Sequence, residues 1–264
     1  MESSVVKFAF IEFIVEHVNE ALPGANCGGC GYVGCNEYAE AIVNDGAAAN
    51  LCPVGGSDIV EAIAKILGIS LEESCPYRPV VHCAARYDQK LGRNEYRGEA
   101  TCATANLVSG VQGCVYGCLA LDDCVSACKF DAIALVDGKT EIDYDRCVGC
   151  GACAKVCPRK VISMVPFKAE QMYVVACSNK DFGKDVKSVC KIGCLGCKAC
   201  TRISNGLFTV KDNVAMIDYD KYDPDQIDET MEVVLEKCPM KGIVKIGKPT
   251  PADIEAVKDE DVPD

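Results

Sequence analysis

The chain has 264 residues, 21 of them cysteine and none tryptophan, and a formal net charge of −12. That negative surplus argues against nucleic acid or an anionic membrane surface as a partner. So many cysteines beside so few aromatic residues argue against one large apolar core and for small modules organised around cross-links or metals.

The pattern opens with an amphipathic helix (Phe8, Ile11, Ile14, Val15, Val18) ending near Pro23–Gly24. A Gly/Cys-rich loop follows, then a helix over Asn36–Asp45, the pair Cys52-Pro53, and a helix over Ser57–Leu67 with Ser57 as N-cap. A second segment starts near Cys75 with a short strand at Val80–Val81 and a polar, charged stretch to about Gly98. Further on, Ala132–Val136 and Lys139–Ile142 flank Asp137–Gly138, a hairpin signal. A third segment begins with a strand at Met172–Ala176 and repeats the second. Cys114-Val-Tyr-Gly-Cys118-Leu returns as Cys190-Lys-Ile-Gly-Cys194-Leu, and Ile142-Asp-Tyr-Asp-Arg-Cys147 as Ile217-Asp-Tyr-Asp-Lys-Tyr222. Repetition at this level implies duplicated modules. The expected fold class is α+β: a small helical domain over residues 1–70, then two cysteine-bearing modules over 71–171 and 172–264. The second module is degenerate and carries an acidic tail.

Three chemistries compete for the cysteines. Disulfides need an oxidising compartment and usually a signal peptide. The apolar run Val5–Val15 is broken by Lys7 and Glu12, is too short for a bilayer span and lacks a cleavage site. Structural zinc would pair two C-x2-C knuckles across a spacer of roughly a dozen residues. Triplets with two-residue gaps, each with a distant partner, are an iron–sulfur spacing. A [4Fe–4S] cube needs four thiolates arranged tetrahedrally; three on a tight loop hold three irons and a remote one closes the fourth corner.

Four such sets are expected. The first is Cys27, Cys30 and Cys35 with Cys52, its loop rich in glycine where the backbone must come close. The run Cys147-x2-Cys150-x2-Cys153-x3-Cys157-Pro158 is a complete bacterial ferredoxin motif, and Cys114-x3-Cys118-x5-Cys124-x3-Cys128 is a stretched version of it. The fourth cysteine of each motif serves the other cluster in two-cluster ferredoxins. One cluster should thus take Cys114, Cys118, Cys124 and Cys157, the other Cys147, Cys150, Cys153 and Cys128. The fourth set is Cys194, Cys197 and Cys200 with Cys238-Pro239. Ser204, Tyr222, Asp225 and Asp228 stand where Cys128, Cys147, Cys150 and Cys153 do, so one whole ligand set is missing from the third segment. The α+β expectation is thus a small helical [4Fe–4S] domain followed by two ferredoxin-like modules of the bacterial two-cluster type, the second degenerate.

Cys75, Cys83, Cys102, Cys177 and Cys190 remain unassigned. Cys83 and Cys177 follow similar strands and share a role between modules. They are either buried small residues or part of a fifth cluster, and Cys190 either joins that or replaces a close ligand as Cys114 does. His17 and His82 read as structural, and no dinucleotide fingerprint, P-loop or Ser/His/Asp grouping appears. Without a flavin or nicotinamide site, such a chain accepts and passes single electrons. A soluble polyferredoxin carrier is the alternative reading.

The run from Glu20 through Pro23 and Cys27 to Cys35, followed by ferredoxin motifs, resembles the B subunit of the Rnf complex from about Ala21 to Ile246. The resemblance implies an iron–sulfur subunit of an ion-translocating ferredoxin:NAD oxidoreductase, with no catalytic residue of its own. It would take electrons from reduced ferredoxin and pass them to membrane and NAD-binding subunits, where the flow drives sodium ions or protons. It also implies a place on the cytoplasmic side of the cell membrane. The membrane helix with which the family usually begins is here missing or reduced to Val5–Val15.

Overall fold

The computed structural model describes residues 4–70 and 75–249, with side chains from Phe8 onward in the first helix. The expected boundary at residue 71 and the acidic tail after Pro251 lie outside the described residues.

Three helices build the N-terminal part: α1 (Ser4–Ala21), α2 (Cys35–Asn44) and α3 (Gly56–Leu67). Val18, Leu22, Tyr38, Ile42 and Ile63 form its core, with Ile14 and Val15 packed against it. Each fully buried side chain of this size contributes roughly 1.5–3 kcal/mol. The expected apolar face of α1 is only half used. Phe8 and Ile11 are 65% and 40% exposed, beside the exposed Phe10 and Phe13, because α2 and α3 cover only the C-terminal half of the longer helix. Ser57 does not cap α3. The helix begins one residue earlier, with no side-chain cap, and ends on Gly68 in the left-handed region (φ 67). Among the described residues no helix is long and apolar enough to cross a membrane.

The rest of the described chain repeats one topology. Strands β1 (Tyr77–Val81) and β4 (Ile162–Pro166) pair antiparallel, Val81 opposite Ile162. Between them in sequence lie the short helices α4 (Cys102–Ala105) and α5 (Asp123–Ser126), the hairpin of β2 (Ile133–Val136) and β3 (Lys139–Ile142), and α6 (Ala152–Val156). Then β5 (Gln171–Val175) pairs antiparallel with β8 (Ile243–Gly247). Between these come α7 (Gly183–Val189), α8 (Ala199–Ile203), the hairpin of β6 (Phe208–Lys211) and β7 (Val214–Ile217), and α9 (Ile227–Lys237).

Both hairpins turn on two residues with positive φ: Asp137 and Gly138 at 47° and 74°, Asp212 and Asn213 at 49° and 61°. A tight turn that follows the strand twist requires this of both central residues.

The two repeats are joined at their outer strands. Val80 and Val165 share one core with Met172, Val174 and Ile243. Beyond the strands, His82 Nδ1 lies 2.6 Å from the Val175 carbonyl and its Nε2 2.6 Å from Ser163 Oγ. The Ala84 amide donates to the Ala176 carbonyl. His82 is therefore a strut between repeats. Burial holds its pKa below the usual imidazole range.

Candidate iron–sulfur sites

The N-terminal thiols face one cavity. Cys27, Cys30, Cys35 and Cys52 line about 280 Å³. Asn26, itself at φ 45, accepts the Cys35 amide on Oδ1 at 2.8 Å and so fixes the loop to the start of α2. Cys52 is positioned by Tyr38, whose hydroxyl donates to the Ala48 carbonyl at 2.7 Å and accepts the Leu51 amide at 2.9 Å. Burial raises the Cys52 thiol, against the amides of Val54 and Gly55.

The second group is Cys128, Cys147, Cys150 and Cys153. Burial, then the neighbouring Cys147 and Cys150, pushes Cys153 up to about 12, with Cys128 also acting on it. Burial raises Cys147 too, while the Gly149 amide and Arg78 oppose the shift. The Cys128 sulfur accepts the Ala132 amide at 3.4 Å. This group abuts the first one. A methyl on Gly29 would lie 2.7 Å from Pro53 Cγ and 3.1 Å from Cys150 Cα, so only glycine lets the loops meet.

The third cavity, about 340 Å³, gathers a set that differs from the expected one. Cys118, Cys124 and Cys157 line it, but its fourth thiol is Cys102, and Cys114 lies elsewhere. Asp123 explains the exchange: its carboxylate accepts the Cys102 amide at 2.8 Å and the Ala103 amide at 3.0 Å, so α4 is held directly beside Cys124. The five-residue spacing from Cys118 to Cys124 makes a wide loop, with Ala120 and Asp122 at positive φ. Burial, then Cys118 and Cys102, pushes the Cys124 thiol up to about 12. Cys118 accepts the Ala120 amide at 3.4 Å. Cys114 instead shares a separate cavity of about 400 Å³ with Cys83, Cys177 and Cys190.

Cys194, Cys197, Cys200 and Cys238 line the remaining cavity, about 430 Å³. Burial, then Cys194, pushes Cys200 up to about 11. Cys157 and Cys238 end their helices in the same extended conformation, φ −72 and −74 with ψ 110 in both. The proline after each excludes the helical region for its predecessor, which turns the thiol out of the helix.

Where the third segment lacks a ligand set, apolar packing fills the volume. Tyr222, Ile227 and Met231 are buried in the core. The Tyr222 hydroxyl accepts the Tyr173 amide at 2.9 Å, and Tyr173 in turn donates to Asp228.

None of the 21 cysteines is paired in a disulfide. Among the described residues, no group of three or more His, Cys, Asp or Glu side chains closes on a point that could hold a single metal ion. The thiols surround cavities with almost wholly apolar walls. Four thiols, apolar surroundings and amides aimed at sulfur are the donor chemistry that a [4Fe–4S] group requires.

Residues 22–54 match the family described as "Putative Fe-S cluster", and residues 140–163 match the "4Fe-4S binding domain" family. The chain is 39% identical over 244 residues to the B subunit of the Na(+)-translocating ferredoxin:NAD(+) oxidoreductase complex of Acetobacterium woodii, covering 90% of this chain and 71% of that one. It is 40% identical over 211 residues to the B subunit of the ion-translocating oxidoreductase complex of Methanosarcina acetivorans, covering 79% of each. It is 38% identical over 209 residues to the proton-translocating counterpart of Clostridium ljungdahlii, covering 78% of this chain and 73% of the relative. With iron–sulfur families matched and relatives of this kind aligned along most of its length, the chain belongs to the family of B subunits of Rnf-type ion-translocating oxidoreductase complexes.

Proposed function

We propose that this chain is the electron-input subunit of an Rnf-type ion-translocating ferredoxin:NAD oxidoreductase. It takes electrons from reduced ferredoxin and hands them to membrane and NAD-binding subunits on the cytoplasmic side of the cell membrane. The observation that carries the reading is the convergence of separate thiol quartets on separate apolar cavities.

In this reading the [4Fe–4S] ligands are Cys27, Cys30, Cys35 and Cys52; Cys128, Cys147, Cys150 and Cys153; Cys102, Cys118, Cys124 and Cys157; and Cys194, Cys197, Cys200 and Cys238. The repeated strand topology supports two ferredoxin-like modules, over 71–171 and 172–264, behind an N-terminal domain over 1–70. Each bound group would supply one-electron redox chemistry, at a potential set by its surroundings. The chain's own part is to exclude water with apolar walls, aim amides at the sulfurs, and place charge nearby. Thiols raised by burial, such as Cys124 and Cys153, keep their protons at neutral pH until iron displaces them, so loading releases protons.

The test is purification of the native protein under anaerobic conditions. It should be brown, iron-rich and recovered with membrane subunits, and it should bleach when reduced ferredoxin is added. A coloured protein wholly in the soluble fraction without membrane partners would instead make it a free polyferredoxin. A colourless, iron-free protein would end both readings.

A further inference from the structure

We propose that Cys83, Cys114, Cys177 and Cys190 hold a fifth [4Fe–4S] cluster, built on the seam between the two repeats. This rests on the reading of the other cavities as cluster sites and extends it to Cys114, which its motif assigns elsewhere, and to three thiols that no spacing motif marks.

The four thiols line one cavity of about 400 Å³ with almost wholly apolar walls, comparable to the cavities of the motif-bearing sets. Each repeat gives two of them from equivalent places. Cys83 and Cys177 stand two residues beyond β1 and β5, and face each other across an isolated antiparallel bridge. Cys114 and Cys190 each precede by four residues the first thiol of a neighbouring site, Cys118 or Cys194. Cys190 is fixed by its own antiparallel bridge to Lys90.

The hydrogen bonds to sulfur repeat in the same way. Cys83 accepts the amides of Cys118 and Ala85, and Cys177 those of Cys194 and Asn179. Asn179 also donates its side-chain amide to the Cys114 sulfur at 3.4 Å. A buried pair of structural thiols does not need amides delivered to both members, whereas a ligand thiolate does.

One loop comes close to sulfur as well: a methyl on Gly117 would lie 3.3 Å from Cys114 Sγ, tighter than side chains usually pack. Opposing charge is at hand. The ammonium of Lys90, only 7% exposed, is held by the carbonyls of Cys118 and Gly138, and it acts electrostatically on Cys83 and Cys190. Arg159 donates to the carbonyls of Cys114 and Gly117. Two cations gathered on a quartet of thiols offset the negative charge that four thiolates would bring into an apolar wall.

Position gives the site its use. It touches the third cavity through the Cys118 amide and the fourth through the Cys194 amide, and it alone of the five draws ligands from both repeats. With it, cluster sites follow one another from the N-terminal domain to the last repeat. Without it, an apolar void lies between the third and the fourth.

Iron and acid-labile sulfide counted on the whole chain, purified anaerobically, should give about 20 of each, which is four per site. Cys177→Ala and Cys190→Ala should each lose about 4 irons while the signals of the other sites persist, and Cys75→Ala should lose none. About 16 irons in the unaltered protein, or disulfides or free thiols at Cys83 and Cys177 in the fully loaded protein, would overturn the fifth site alone. An iron-free chain would overturn the other four with it. The count on unaltered protein decides the matter even where a variant fails to fold.

Discussion

Ser204 sits in the fold as Cys128 does: each accepts the amide four residues further on, Ser204 Oγ from Phe208 at 3.1 Å and Cys128 Sγ from Ala132 at 3.4 Å. The chain has kept the local hydrogen bond while exchanging the chemistry. A hydroxyl caps the turn as well as a thiol but is a poor iron ligand, and the emptied volume belongs to Tyr222 and its neighbours. Tyr222→Ala should cost about 3–5 kcal/mol through the cavity it leaves, and Tyr222→Phe about 1 kcal/mol through the lost amide bond. Denaturant titration of the last repeat should show this order. Equal costs would mean that packing of the Tyr222 ring is not what stabilises this part of the repeat.

Cys102→Ala and Cys114→Ala should give different spectra, although a motif reading treats Cys114 as the ferredoxin ligand. Loss of Cys102 should remove the signal shared with Cys124→Ala, because these thiols line one cavity with Cys118 and Cys157. Loss of Cys114 should leave that signal in place. Paramagnetic resonance of the reduced variants makes the comparison, and matching spectra from Cys114→Ala and Cys124→Ala would restore the motif reading.

The N-terminal site should come apart independently. Cys52→Ala should remove about 4 irons and leave every other signal. Tyr38→Phe is a milder change: it removes the hydroxyl that binds the Ala48 carbonyl and the Leu51 amide, and should cost about 1–3 kcal/mol. The readout is faster iron loss from this site to a chelator. Collapse of all clusters in Cys52→Ala would contradict modular assembly.

Lys90 is a buried cation beside two thiol quartets. A positive charge favours the reduced, more negative form of a nearby cluster. Lys90→Met should therefore lower the potential of the adjoining sites by something on the order of 50 mV, which is about a tenfold change in reduction equilibrium. Redox titration of the loaded variant measures it. An unchanged or raised potential would show that the ammonium is screened from the clusters.

Much of the arrangement was legible in the sequence because the proposed ligands are local. Triplets such as Cys147, Cys150 and Cys153 need only a tight loop, and the two hairpins announce themselves through Asp137–Gly138 and the repeated Ile-Asp-Tyr-Asp. What escaped was long-range. Cys102 reaches its site because Asp123, 21 residues later, accepts its amide, and no spacing rule encodes that contact. The stretch before Gly98 reads only as polar and charged, yet it delivers Lys90 to the interior. A signal for the seam did exist in the paired equivalence of Cys83 with Cys177 and of Cys114 with Cys190. Periodicity alone does not say that both pairs meet at one place. The capping role given to Ser57 failed for a smaller reason, since Gly55 and Gly56 let the helix start without a side-chain cap.

Two of the seam thiols leave the ribosome well before the other two. Cys83 and Cys114 emerge with the first repeat, while Cys177 and Cys190 follow only after its last strand, β4, is made. In the proposed assembly the early pair until then has no complete site and stays reduced and unmetallated, while the quartets proposed for the N-terminal domain and the first repeat are already whole. Metal delivery to the proposed seam site therefore follows completion of the first repeat, and a chain truncated there would carry two seam thiols without their partners, open to oxidation.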